Sequence, residues 1–252
     1  MIIARQKPFA DILAMVGDAE TVYIVGCGEC ATATETGGER EAQAMKARLE
    51  AAGKRVTGID VAHSVCQELD VKRLFRARQA DVAEAEVVLV LSCGAGSQSV
   101  REATDKRIIA GTDTLFLGNS KRQLDYEEKC TLCGECVIDR FGGICPIARC
   151  SKGLVNGPCG GSDHGKCEVD PERDCVWVLI FEALEKQGRL QDAMVIQPPR
   201  SWDLTRRPGH VNWREGRRGN ARSATAGAPA APPATAADAS SKVVSVNKEE
   251  SP

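Results

Sequence analysis

The residues that could do chemistry in this chain are its twelve cysteines. Eight of them fall between Cys130 and Cys175, a density that calls for cross-linking by disulfide or by metal. The residues from Met1 to Glu20 carry Arg5, Lys7, Pro8 and Asp11 and hold no apolar run long enough for a leader. No apolar stretch long enough to cross a bilayer occurs anywhere. The expected setting is therefore the reducing cytoplasm, where thiolates ligate metal in preference to forming disulfides.

The first four cysteines are Cys27, Cys30, Cys66 and Cys93. Cys27 and Cys30 form a C-x-x-C directly after an apolar run at 21–25. Cys66 follows a second strand-like run at 55–61, and Cys93 follows a third at 87–91. In a parallel sheet the carboxyl ends of neighbouring strands share one edge, where ligands bind. Three strand ends thus deliver four thiolates to one place, which suits an iron–sulfur cluster, and equally a zinc ion. A competing reading is nucleotide binding, because Gly26 to Ala31 fits G-x-G-x-x-A and Asp60 ends the second strand. That fingerprint needs a helix to open at once, and the threonines and glycines at 32–38 delay it to about Glu39.

In the second set, Cys130, Cys133 and Cys136 lie at intervals of three, and Cys145 is followed by Pro146. This approaches the bacterial ferredoxin pattern with a longer last spacer. Cys150, Cys159, Cys167 and Cys175 remain, and any one of Cys145 to Cys175 can complete the C-x2-C-x2-C loop. Twelve thiolates make three sets of four, but spacing alone does not fix the membership. Cys175 opens a helix, whose positive end favours a thiolate. His164 is read as an exposed loop histidine.

The elements that must position these residues follow an α/β rhythm. Residues 1–20 are expected to form a short helix, with Pro8 at its first turn. Strands are expected at 21–25, 55–61, 87–91 and 107–110, alternating with helices at 39–52, 71–85 and 98–106. Alternation of this kind predicts a small parallel sheet with flanking helices. After Gly118 the rhythm stops, and the glycine- and cysteine-rich stretch that follows has no run suited to a central strand. Such a segment is expected to fold around metal. A helix returns at 174–188. The expected division is an α/β domain over 1–118 and an irregular cysteine-rich metal-binding domain with a terminal helix over 119–197. An extended basic segment at 198–223, with Trp202 and Trp213, is expected to dock on a partner protein. The Ala/Pro/Ser-rich tail from 224 to 252 is expected to be disordered.

With 33 basic and 35 acidic residues, the chain lacks the basic excess of a nucleic-acid binder. It also lacks the eight strand–helix units of a barrel enzyme and any convincing acid–base pair.

The runs Cys130-Thr-Leu-Cys133-Gly-Glu-Cys136, Gly142-Gly-Ile-Cys145-Pro-Ile-Ala-Arg-Cys150, Asn156-Gly-Pro-Cys159-Gly-Gly and Gly165-Lys-Cys167-Glu, with Gly26-Cys27-Gly28-Glu29-Cys30, Cys66 and Ser92-Cys93-Gly94, resemble the methylenetetrahydrofolate reductase C-terminal domain family. The resemblance spans about residues 20–205 and includes all twelve cysteines. It implies a non-catalytic electron-transfer subunit with two or more [4Fe–4S] clusters, zinc being possible at one four-cysteine site. It also implies a flavin-bearing reductase subunit as partner, which alone holds flavin, and a ferredoxin or other electron donor. The alternative is a zinc-binding docking subunit without a redox role.

Overall fold

The computed structural model describes residues 1–200, 205 and 207–212. The docking segment expected at 198–223 lies largely outside the described residues, Trp202 and Trp213 included, and the tail 224–252 lies wholly outside them.

In chain order the elements are β1 (Ile2–Gln6), α1 (Phe9–Val16), β2 (Thr21–Cys27), α2 (Cys30–Ala33), α3 (Glu39–Ala51), β3 (Arg55–Ala62), α4 (Glu68–Ala77), α5 (Gln79–Glu84), β4 (Val87–Leu91), α6 (Gly94–Arg101), β5 (Arg107–Ala110), β6 (Thr112–Arg122), β7 (Asp125–Cys130), α7 (Pro146–Arg149) and α8 (Val176–Lys186). Two 3-10 turns, Ile138–Phe141 and Leu190–Met194, flank the last two helices.

The expected parallel sheet is present, with strand order β3-β2-β4-β5. Every residue of β2 and of β4 is buried, as two-sided covering by helices requires. Side-chain alternation along β2 divides the core. Val22 and Ile24 pack with Ile12, Val16, Met45 and Leu49 of α1 and α3. Tyr23 and Val25 pack with Val71, Phe75, Val82 and Val100 of α4, α5 and α6.

Four local expectations are corrected. Residues 2–6 form a strand, not helix: β-branched Ile2 and Ile3 pair with β6, and Pro8 caps α1 at its amino end. The helix expected over 71–85 breaks at Arg78, which leaves helical geometry (φ −110°, ψ 29°) and donates to Asp60. The helix after β4 opens at Gly94, four residues early, capped by Cys93. Gly96 is tolerated inside it for a packing reason, since a Cβ there would stand 2.0 Å from Ser92 Oγ.

The fourth correction is a second sheet, antiparallel and ordered β1-β6-β7. Its strands carry polar residues on an exposed face, so no continuous apolar run announces them. The β6–β7 turn places Leu124 at φ +64°.

Past Cys130 regular structure thins, but the segment has a small core of its own. Phe141, Val176, Trp177, Ile180 and Leu184 are buried together. Trp177 meets Phe141 edge-on at 5.6 Å and donates its indole N–H to the Leu154 carbonyl. Gly142 (φ +63°) sits against α8, where a Cβ would stand 2.9 Å from Ala183 Cβ.

Candidate metal centres

All twelve cysteines are free thiols. The first four lie where the strand ends predicted. Cys27 is the last residue of β2 and pairs across the sheet with Ala62, the last of β3. Cys30 opens α2, Cys66 lies in the turn after β3, and Cys93 caps α6 just past β4.

Backbone contacts join these loops. The Gly28 N–H donates to the Ala62 carbonyl at 2.8 Å, and the Ser99 hydroxyl of α6 donates to the Cys66 carbonyl at 3.4 Å. The Gly94 N–H, next to Cys93, donates to Thr114 Oγ1 of β6 at 2.8 Å. The Ile2 N–H of β1 donates to Cys30 Sγ at 3.4 Å.

The glycines of the 26–38 loop serve this packing. A Cβ at Gly26 would stand 2.6 Å from the Gly37 carbonyl oxygen, and one at Gly37 only 1.9 Å from the Leu91 carbonyl oxygen. The Cys27 N–H is consumed by Gly37 O at 2.9 Å. Asp60, the residue a ribose would need, accepts from the Tyr23 hydroxyl at 2.5 Å and from Arg78 Nε. Burial, then this hydrogen bond, pushes the Tyr23 phenol far above its ordinary pKa. The nucleotide reading thus finds its glycines and its acid already committed within the fold.

In the second region Cys130 ends β7, and its Sγ accepts from the Leu132 N–H at 3.4 Å. Cys145 caps α7, with Pro146 at the first helical position, and its Sγ accepts from the Ala148 N–H at 3.4 Å. α7 packs on β7. Ile147 lines one small cavity together with Glu135, which lies between Cys133 and Cys136. Cys145 therefore sits beside the C-x2-C-x2-C loop.

The other four share a different place. Cys150, Cys159, Cys167 and Cys175 all line one cavity of about 20 Å³, walled also by Arg149, Val176 and Trp177. The Cys159 sulfur accepts from the Gly161 N–H at 3.5 Å. The Cys167 thiol is held below its ordinary pKa, first by a backbone N–H from Val169 and then by the Ser151 hydroxyl. Cys175 caps α8, so a thiol stands at the positive end of an eleven-residue helix. His164 is exposed beside Asp163, as expected of a loop histidine.

Among the described residues, no group of three or more His, Cys, Asp or Glu side chains converges closely enough to hold a metal ion. The chemistry of the donors nevertheless fits a thiolate-bound group. The donors are soft sulfurs carried on loops, and Cys30, Cys130, Cys145 and Cys159 each accept a backbone N–H.

Residues other than cysteine complete these loops, and spacing did not reveal them. Arg200 donates to the Cys133 carbonyl at 2.7 Å. Gln197 is buried and exchanges two hydrogen bonds with Asn156, which lies between Cys150 and Cys159. It also accepts from Arg140, which lies between Cys136 and Cys145. Asn156-Gly157 is a turn signal in sequence, but nothing marks its distant partner.

Residues 109–203 match the protein family described as methylene-tetrahydrofolate reductase C terminal. The matched segment holds the eight cysteines from Cys130 to Cys175, β7, α7 and α8. No curated protein and no solved structure matches the chain. Among the described residues no helix is long and apolar enough to cross a membrane.

Proposed function

We propose that the chain is an iron–sulfur electron-transfer subunit that works with a flavin-bearing methylene-tetrahydrofolate reductase. The observation that carries this reading is the short bridge between the first two cysteine sets. Ile2 donates to Cys30 Sγ, Ile2 pairs with Leu117, and Leu117 pairs with Cys130. Two strand spacings of about 4.8 Å each therefore separate the backbone beside Cys30 from that of Cys130. The family match supports the reductase association.

In this reading Cys27, Cys30, Cys66 and Cys93 hold one [4Fe–4S] cluster, and Cys130, Cys133, Cys136 and Cys145 hold another. Each cluster supplies a site that accepts and releases one electron. The chain's own residues fix the sulfurs, turn backbone N–H groups toward them and keep the two sites at constant separation. Flavin belongs to the partner and exchanges one or two electrons. A ferredoxin or another donor meets the chain on its solvent side.

Cys150, Cys159, Cys167 and Cys175 suit zinc better. A cavity of about 20 Å³ has the room of a single ion, and closed four-thiolate zinc sites organise irregular segments of this kind.

Anaerobic purification followed by metal, sulfide and visible-absorption analysis tests the assignment. About eight iron atoms and one zinc per chain, with a brown colour, are expected. A colourless protein holding only zinc overturns the redox reading and leaves a zinc-binding docking subunit.

A further inference from the structure

The segment that leaves the 3-10 turn Leu190–Met194 combines two properties that seldom occur together. Met194, Val195 and Ile196 are 80%, 60% and 76% exposed, while the next residue, Gln197, is 7% exposed. Single exposed apolar residues need no explanation, but three in a row on one strip do.

The strip is not free to fold inward. Gln197 binds Asn156 through both its backbone groups, and its side chain meets Arg140 and the Val195 carbonyl. Three residues on, Arg200 is fastened to the Cys133 carbonyl. These part-buried polar contacts fix the backbone on both of the cysteine loops it crosses, so the three side chains stay in solvent. Holding apolar side chains outward on a fixed backbone lowers the entropy lost on docking.

We infer that Met194, Val195 and Ile196 form the apolar anchor of a protein interface, and that its occupant is the catalytic reductase subunit. This rests on the functional reading above. The strip lies within the segment matched to the reductase family. It also runs directly into a basic stretch, seven arginines against two acids over 198–223. By charge, the complementary surface is an apolar groove bordered by carboxylates. Docking there places the partner against the loops that carry Cys133 and Asn156, beside two of the three four-cysteine sets.

The test uses the full chain, the flavoprotein reductase subunit from the same organism, and the double variant Met194→Ser/Ile196→Ser. Both substituted side chains are exposed, so the fold and the metal content are expected to stay unchanged. Titration calorimetry should show tight binding by the unmodified chain and about a hundredfold weaker binding by the variant. Equal affinities overturn the anchor while leaving the reductase partnership intact. No binding by the unmodified chain overturns the partnership, and this occupant with it. Self-association of the unmodified chain that the variant abolishes, seen by sedimentation, assigns the strip to a second copy and likewise overturns the inference.

Discussion

The backbone N–H of Ile2 donates to the sulfur of Cys30 at 3.4 Å, so a strand from the second sheet reaches the cysteine edge of the first. Hydrogen bonds to ligand sulfurs favour the more negative state of a cluster and raise its potential. Ile2→Pro removes this donor. The potential assigned to the first site should fall by on the order of 50 mV, with the second site unmoved, in a redox titration followed by electron paramagnetic resonance. Equal movement of both sites, or of neither, contradicts the assignment.

Removing single thiols separates the three sets. Cys93→Ala should release close to four irons per chain and leave the remaining metal in place. Cys159→Ala should instead release the zinc and leave the iron. Unchanged metal content in the first variant, or iron loss in the second, breaks the grouping.

The pair Asn156 and Gln197 lies where no secondary structure satisfies the backbone. Asn156→Ala orphans a buried N–H and a carbonyl of Gln197, at a cost of about 1–3 kcal/mol. A lower midpoint in urea is expected. Limited proteolysis should cut first within the loop between Cys150 and Cys159, while the parallel sheet resists.

Close approach at Gly37 gives a sharper stability test. A Cβ there would stand 1.9 Å from the Leu91 carbonyl oxygen, whereas one at Gly53 meets nothing within 4 Å although its φ is +81°. Gly37→Ala should cost more than about 2 kcal/mol through forced backbone movement. Gly53→Ala should cost about 1 kcal/mol through its dihedral alone. Denaturant midpoints of the two variants check the order.

Glu127 on β7 is held to about 2 by Lys121 first and Lys129 second. Its depressed pKa means that its contribution is complete above the ordinary carboxylate value, near pH 4.5. The contribution fades as pH falls toward 2. Glu127→Gln should therefore reduce stability at pH 7 by no more than about 1 kcal/mol, and the difference from the unmodified chain should shrink toward pH 2. Thermal unfolding across that range measures it.

The parallel sheet was legible because β2 and β4 carry uninterrupted apolar runs, Val22 to Val25 and Val87 to Leu91. Cys27 and Cys93 followed from the ends of those strands, and Cys66 from the end of β3. The antiparallel sheet was not legible. Ile2 and Ile3 of β1 find their partners only in β6, far along the chain, and in sequence they stand just ahead of the helical stripe of Phe9 to Val16. The break at Arg78 depends on a carboxylate, Asp60, from another strand. Spacing does not distinguish Cys145 from Cys150, since both follow the same loop; the fold adds that Cys150, with Cys175, lines a cavity whose wall does not include Cys145. Gln197 lay outside any pattern, because its role rests on what it touches.

The pairing of β1 with β6 also has a consequence in time. Met1 and Gly118, joined by a hydrogen bond, are 117 positions apart. At ribosomal speeds the first strand waits on the order of ten seconds for its partner to be made. Through that interval the loop of Cys27 and Cys30 has emerged, yet the strand that lies over it has nothing to pair with. Such long-range pairing is among the last events of folding. The nascent chain therefore presents an open first set of thiols before the β1-β6-β7 sheet closes beside it; on the proposed assignment, metal reaches that set ahead of the finished fold.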